Sequence, residues 1–269
     1  MQNAAREQTD ANHGRALAWL RSDGLRHIVT LKMLAVGGAA IDCRLCEEAD
    51  GWGLLSLFST KVFEYDQQTY ADRERVVLID GTSAGAKAKL LETLPRGALV
   101  VKTYDEAVKT YLEGKYGAKR VRSFVSFTGF PGGPRFAPAR EIAESATLTP
   151  EVAAMFAANG YEASELARHF GDGARWFGIQ EAGQMVSACM VFRNFETVWE
   201  IGGVYTLPEH RRRGLARQVV AAALEHLHQA QRRPRYQVRA DNLASIELAR
   251  AAGLREFLRM EHFLVDRKD

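Results

Sequence analysis

The sequence predicts an α/β chain in two parts: a C-terminal domain built on a mixed sheet with helices on both faces, preceded by a smaller α/β domain. Three observations carry this reading. Residues 128–138 hold three prolines and three glycines in eleven positions, which neither a helix nor a central strand can accommodate. Past that break, short apolar runs joined by tight turns lead into a strand–helix–strand order, as in an antiparallel meander feeding a parallel crossover. Residues 201–220 begin as an apolar, β-prone run, break at Pro208 and resume as a helix. At 269 residues the chain exceeds the usual size of one domain, so the boundaries are set at 1–130 and 139–269.

In the first part, residues 14–34 read as two helices broken at Ser22, Asp23 and Gly24. Short β-like runs follow at 39–46, 53–59 and 76–79, the last stopped by Asp80 and Gly81. A helix over 83–92, a strand over 98–102, a helix over 105–116 and an alternating strand over 119–127 complete this part. The run from Thr82 to Gly85 lacks the glycine spacing of a phosphate loop.

In the second part, residues 139–148 read as a strand, and Thr149 with Pro150 is an N-cap followed by a first-turn proline. Helices over 152–158 and 163–169 precede strands over 175–181, 185–193 and 197–207. From Leu215, apolar positions recur at Ala216, Val219, Val220, Ala223, Leu224 and Leu227, the spacing of a half-buried helix. A strand at 236–239, a helix at 243–252 and a strand at 256–265 close the chain. Gly202 and Gly203 inside a strand fit a bulge, or a place where a ligand comes close to the backbone.

Arg211, Arg212, Arg213 and Gly214 stand where that long helix starts. A helix N-terminus presents free amides and a positive dipole end, which disfavours nearby cations by roughly 0.3–1 kcal/mol each. Three arginines there make sense if an anion docks on the same amides, and Gly214 lets phosphates approach the backbone. The plain alternative is a solvated surface turn.

Residues 211–216 are similar to the Arg/Gln-x-x-Gly-x-Gly/Ala signature of the GNAT superfamily of acyl-CoA N-acyltransferases. The preceding strand, ending at residues 204–208, and a later motif at 238–254 with Asn242, Ser245, Leu248 and Gly253 extend the resemblance over about residues 139–266. It implies the GNAT fold for the second part and a degenerate GNAT-like half, as in tandem or glycine-N-acyltransferase-like members, for the first. It also implies acetyl-CoA as cofactor without a metal, and transfer of an acetyl group to a primary amine of a small molecule or amino acid in a ternary complex. The amides and side chains of Arg211, Arg212, Arg213, Gly214, Leu215, Ala216 and Arg217 would hold the diphosphate. Val204, Tyr205 and Thr206 would pair with the pantetheine arm in a gap between strands, and Asn242 and Ser245 would add contacts. For the last two, plain helix capping is the alternative.

Such a transfer needs a neutral amine, a positioned thioester and a proton acceptor. Glu200, eleven residues before Arg211, stands about where members with a carboxylate base carry it, and is the expected base. Its alternative role is an edge-exposed partner of an arginine. Many members carry a tyrosine as general acid after the helix leucine; here Ala249 follows Leu248, so Tyr205 or water takes that role. The same departure leaves open a catalytically weak acyl-CoA-binding regulatory module.

Composition narrows the rest. A net charge of +3 suits a polyanionic cofactor, but no aromatics interleave with the arginine cluster, so nucleic acid is not expected. No apolar run approaches the ~18 residues that span a bilayer. Cys43 and Cys46 read as thiols of a strand-like segment and Cys189 as a core residue, so no disulfide framework is expected and the protein is read as cytoplasmic. His210, His226, His228 and His262 show no metal-ligand spacing. A homodimer is compatible with the sequence.

Overall fold

The structure, a computed structural model, describes residues 2–129 and 140–267, with side chains from residue 11 onward. The chain forms two compact units. One comprises Met1–Ser123 with Arg259–Asp269, the other Phe124–Leu258. The expected boundary at 128–138 falls mostly outside the described residues. The C-terminal stretch Arg259–Asp269, expected in the second domain, is grouped with the first unit.

The first unit contains α1 (Gln2–Arg21), α2 (Ile28–Gly37), β1 (Asp42–Glu48), β2 (Gly51–Ser59), α3 (Glu64–Thr69), β3 (Arg75–Gly81), α4 (Ala84–Glu92), β4 (Gly97–Thr103) and α5 (Glu106–Tyr116). β5 (Lys119–Thr128) starts in this unit and ends in the other. β1–β2 and β2–β3 pair antiparallel and β3–β4 parallel. The last strand of the chain, β11 (Arg255–Arg267), adds antiparallel to β4 from Glu261↔Thr103 to Arg267↔Gly97. Leu55, Val77, Ile79, Leu91, Leu99, Val101, Leu112 and Phe263 form the core.

The second unit runs through β6 (Ala143–Ser145), α6 (Pro150–Ala158), α7 (Ala163–Gly171), β7 (Arg175–Glu181), β8 (Gln184–Phe195), β9 (Val198–Thr206), α8 (Leu215–Gln229), β10 (Arg233–Arg239) and α9 (Leu243–Ala251). β7–β8 and β8–β9 are antiparallel, β9–β10 parallel, and β10 pairs antiparallel with the end of β5. Apart from α3 and β6, the order of elements and the sense of every pairing repeat those of the first unit. α8 and α9 cover one sheet face over Val191, Ile201, Tyr236 and Val238; α6 and α7 cover the other over Ala188, Met190 and Phe192. The mixed sheet with helices on both faces is therefore present as expected.

Three elements differ from the sequence reading. The strand expected over 139–148 shrinks to β6, because Ser145 Oγ accepts from the Thr147 N–H at 2.9 Å and turns the chain. α1 reaches Gln2 rather than starting near residue 14. α3 was not expected; its Asp66 is fully buried and meets Lys102 Nζ at 2.5 Å, a long-range pairing that no local periodicity announces. The three cysteines are free thiols, Cys43 being pushed up to about 11 first by burial and then by Asp42. Among the described residues no helix is long and apolar enough to cross a membrane.

Beside Asp66, Tyr70 Oη meets His262 Nδ1 at 2.5 Å. Burial, then the charges of Lys102 and Arg122, hold His262 well below the ordinary imidazole value. An unfolded histidine titrates near ~6.5, so below that pH the unfolded chain binds a proton that the folded chain refuses. The contribution is complete above about pH 6.5 and is lost as the pH falls towards the depressed folded value. Stability by urea titration should thus drop on acidification from pH 7 to 5, with a slope of up to about 1.4 kcal/mol per pH unit from this site. His262→Gln should flatten that slope, and an unchanged slope contradicts the assignment.

Candidate active site

The parallel ladder between β9 and β10 stops after three pairs, Val198↔Arg233, Trp199↔Pro234 and Glu200↔Arg235. Beyond them β9 runs on to Thr206 against β8, and β10 runs on to Arg239 against β5. From Ile201 and Tyr236 onward the facing strand edges are not paired with each other, and they line a split. Glu200 sits at its apex. Its carboxylate accepts from Arg235 Nη1 at 2.7 Å, from Asn194 Nδ2 at 2.7 Å and from the Gln237 backbone N–H at 2.9 Å. That amide lies just past the last ladder pair, so a side chain takes the hydrogen bond where a strand carbonyl would otherwise continue the sheet. Glu200 is paired with an arginine, as one sequence reading allowed, but both groups are buried, at 7% and 4% exposure, rather than lying at an exposed edge. Three of the roughly four acceptor positions of the carboxylate are in use.

Next to the apex β9 bulges. The register steps from Tyr205↔Ala188 to Gly202↔Met190, leaving an extra residue on β9, and Gly203 adopts φ +63°. The bulge is walled tightly: a Cβ on Gly202 would lie 2.5 Å from Tyr161 Oη, and one on Gly203 would lie 2.9 Å from Phe156. Val204, Tyr205 and Thr206 follow as half-buried residues. The Thr206 and Ser187 hydroxyls meet at 2.8 Å. The Tyr205 ring packs beside the α6–α7 core and lies 5.9 Å from the Arg211 guanidinium.

Residues 207–214 carry the chain from β9 to α8. Arg212 has φ +60° and Gly214 φ +77°. A left-handed arginine costs about 1–2 kcal/mol, so the loop holds a strained shape. α8 then begins with no side-chain cap, Leu215 being buried in the core. By helix geometry the amides of Leu215 and Ala216 lack intrahelical acceptors, and a Cβ on Gly214 would meet nothing within 4 Å. This is an open, uncapped N-terminus at the end of the split.

The arginines divide the work. Arg213 forks onto Glu181 at 2.9 and 2.8 Å and touches His210 Nδ1 at 2.7 Å; with Arg140, it holds the Glu181 carboxyl below its ordinary range. The Arg213 side chain, expected to face the cofactor, is thus engaged within the protein and anchors the loop. Arg211 Nε donates to the Thr206 carbonyl at 3.1 Å. The exposed Arg212 has no described side-chain partner.

On the next crossover Asn242 Oδ1 caps α9 by accepting from the Ser245 N–H at 3.1 Å, and Ser245 Oγ meets Tyr236 Oη at 2.9 Å. The capping alternative describes both residues; the Asn242 Nδ2 donors have no described partner. Ala249 is fully buried in the α8–α9 core, so α9 presents no polar side chain at that position. Among the described residues no cluster of three histidine, cysteine or acidic side chains is set to hold a metal.

The matching place in the first unit is filled. Only Thr82 and Ser83 link β3 to α4, with Ser83 capping the helix. Asp80, two positions past the last β3–β4 pair, takes His27 Nδ1 at 2.8 Å, Tyr104 Oη at 2.8 Å and the Thr30 hydroxyl. The sequence singles out the loop and Glu200 but not Arg235, Asn194 and Tyr161, which the structure brings next to them. Their roles come from contacts across 35, 6 and about 40 positions, which no short pattern encodes.

Residues 140–254 match the sequence model of the Acetyltransferase (GNAT) family. Among solved structures the chain is similar to a GCN5-related N-acetyltransferase from Kribbella flavida, with TM-score 0.54, 18% identity and coverage of 91% of this chain and 97% of that one. A tandem GNAT protein from the clavulanic acid biosynthesis pathway gives 0.53 at 15% identity, covering 98% and 97%. A GCN5-related N-acetyltransferase from Sphaerobacter thermophilus gives 0.51 at 14% identity, covering 81% and 76%. At such identities the likeness is one of fold. No curated protein matches the chain. The matched residues, 140–254, carry the split, the bulge and the uncapped helix, and this part of the chain is similar to the GNAT family.

Proposed function

We propose that the second unit transfers an acetyl group from acetyl-CoA to a primary amine of a small molecule or amino acid, by direct attack while both are bound. The observation that supports it most is the succession of split, bulge and uncapped α8 N-terminus along one stretch, residues 200–217. Ligands of open α/β sheets bind at the carboxyl ends of diverging parallel strands, and diphosphates bind at helix N-termini. The residues fit the cofactor: main-chain amides of Leu215 and Ala216 would receive the diphosphate over the open side of Gly214. Arg211 and Arg212 would add charge, and Asn242 Nδ2 and Ser245 further contacts. The free β9 edge at Val204, Tyr205 and Thr206 would meet the amides of the pantetheine arm and the acyl carbonyl. When bound, the cofactor supplies an activated acyl group as a thioester.

Glu200 is proposed as proton acceptor for the amine through the acceptor position that its three donors leave, directly or by way of a water. The same contacts give it a second task, holding the split open. Tyr205, beside the split, is proposed to protonate the departing sulfur, with water as the alternative donor. We assign the domain of residues 139–269 this activity, with acceptor binding at the α6–α7 face, and place the protein in the cytoplasm. A second reading, a catalytically weak acyl-CoA-binding regulatory module, is favoured by the burial of Ala249. Coenzyme A affinity without amine-dependent thiol release across a broad amine panel would select it.

Arg212→Glu should weaken acetyl-CoA binding at least ten-fold, about 1.4 kcal/mol, without lowering the melting temperature. Unchanged affinity in calorimetry would count against the phosphate-loop assignment. Glu200→Gln leaves a buried guanidinium without its charge partner and should cost about 3–5 kcal/mol of stability. It should also slow turnover most at low pH, where the amine is most protonated. A pH–rate profile identical to wild type removes Glu200 from the proton-accepting role.

A further inference from the structure

The turn that joins α6 to α7, residues 159–161, reaches the β9 bulge with two side chains. Asn159 Nδ2 donates to the Val204 carbonyl at 3.4 Å. Tyr161 Oη lies against Gly202 so closely that a Cβ there would stand 2.5 Å away. The turn itself is fixed to α6, since the N–H groups of Asn159 and Tyr161 both donate to the Phe156 carbonyl, at 3.0 and 3.1 Å. The Phe156 ring in turn blocks the other glycine of the bulge. Burial, then the charges of Glu200 and Glu165, raise the Tyr161 phenol above its ordinary value, so it stays a neutral hydroxyl. Both side chains address the main chain of residues 202–204, at the β9 bulge.

We propose that Asn159 and Tyr161 are positioning residues that clamp the bulge, so that the main-chain groups of Val204, Tyr205 and Thr206 keep the direction needed to meet an acyl carbonyl in the split. This rests on the acyltransferase reading. It adds to that reading a division of labour: the α8 N-terminus holds the nucleotide end of the cofactor, and the clamp governs only its acyl end. A preorganised donor aimed at a developing oxyanion contributes to kcat rather than to affinity for the rest of the ligand.

The test uses the full chain with Tyr161→Phe, which keeps the ring and loses the hydroxyl, Asn159→Ala, and the double variant. Calorimetry with coenzyme A and with acetyl-CoA is paired with steady-state kinetics on an amine that wild type accepts. Coenzyme A affinity should stay within two-fold of wild type, while the affinity ratio of acetyl-CoA to coenzyme A changes and kcat falls about ten-fold in each single variant. The double variant should lose less than the product of the two, since both side chains hold one bulge. The clamp is refuted if folded single variants keep the wild-type kcat and affinity ratio, or if their losses multiply as independent effects. Should Tyr161→Phe fail to fold, Asn159→Ala alone carries the same decision. A wild type that binds no coenzyme A removes the acyltransferase reading itself, an outcome distinct from variants that bind and turn over normally.

Discussion

The arrangement of the second unit depends on one interaction, the Glu200 carboxylate capturing the Gln237 amide while paired with Arg235. A parallel ladder extends as long as each new amide finds a strand carbonyl. Here the Gln237 amide, past the third pair, finds a side chain instead, and the ladder ends with that donor satisfied. A buried ion pair is weak evidence for stability, because desolvation offsets much of the attraction. Its use in this fold is geometric. It ends a sheet pairing at a defined residue, and everything that faces the split follows from where that happens.

Downstream, strain is concentrated where the backbone must point outward. Gly203 and Gly214 adopt positive φ without steric cost, whereas Arg212 adopts it at a cost. The compensation is visible in the neighbours: Glu181 ties Arg213 and Arg140, and Arg211 is bound to the Thr206 carbonyl. The loop is thus held before any ligand arrives, and the entropy of ordering it is not charged against binding. The first unit repeats the order of strands and helices but not this equipment. Its crossover is two residues long and Asp80 ties the gap shut through His27, Thr30 and Tyr104. The same topology is present there with the apex filled.

Much of this was legible in the sequence because it is local. The apolar spacing from Leu215 to Leu227 located α8, Gly202 and Gly203 marked the bulge, and Thr149 with Pro150 marked the start of α6. What the sequence hid is long-range. Arg235 sits in a run of arginines that looks solvated, and only pairing with Glu200 explains its burial. The Arg213 partner, Glu181, is 32 positions away, so the three arginines could not be told apart by pattern. The contribution of Arg259–Asp269 to the first unit was hidden for the same reason: nothing in the residues of β11 names β4 as its partner.

The central claim, that the split ending at Glu200 and the bare start of α8 together hold a nucleotide thioester, is tested most directly by a crystal structure of the chain grown with coenzyme A. The account predicts diphosphate density within hydrogen-bond distance of the Leu215 and Ala216 amides, and the pantetheine arm running along the free edge of β9 towards Glu200. Density for the cofactor at any other place, or an empty split at saturating coenzyme A, would contradict it.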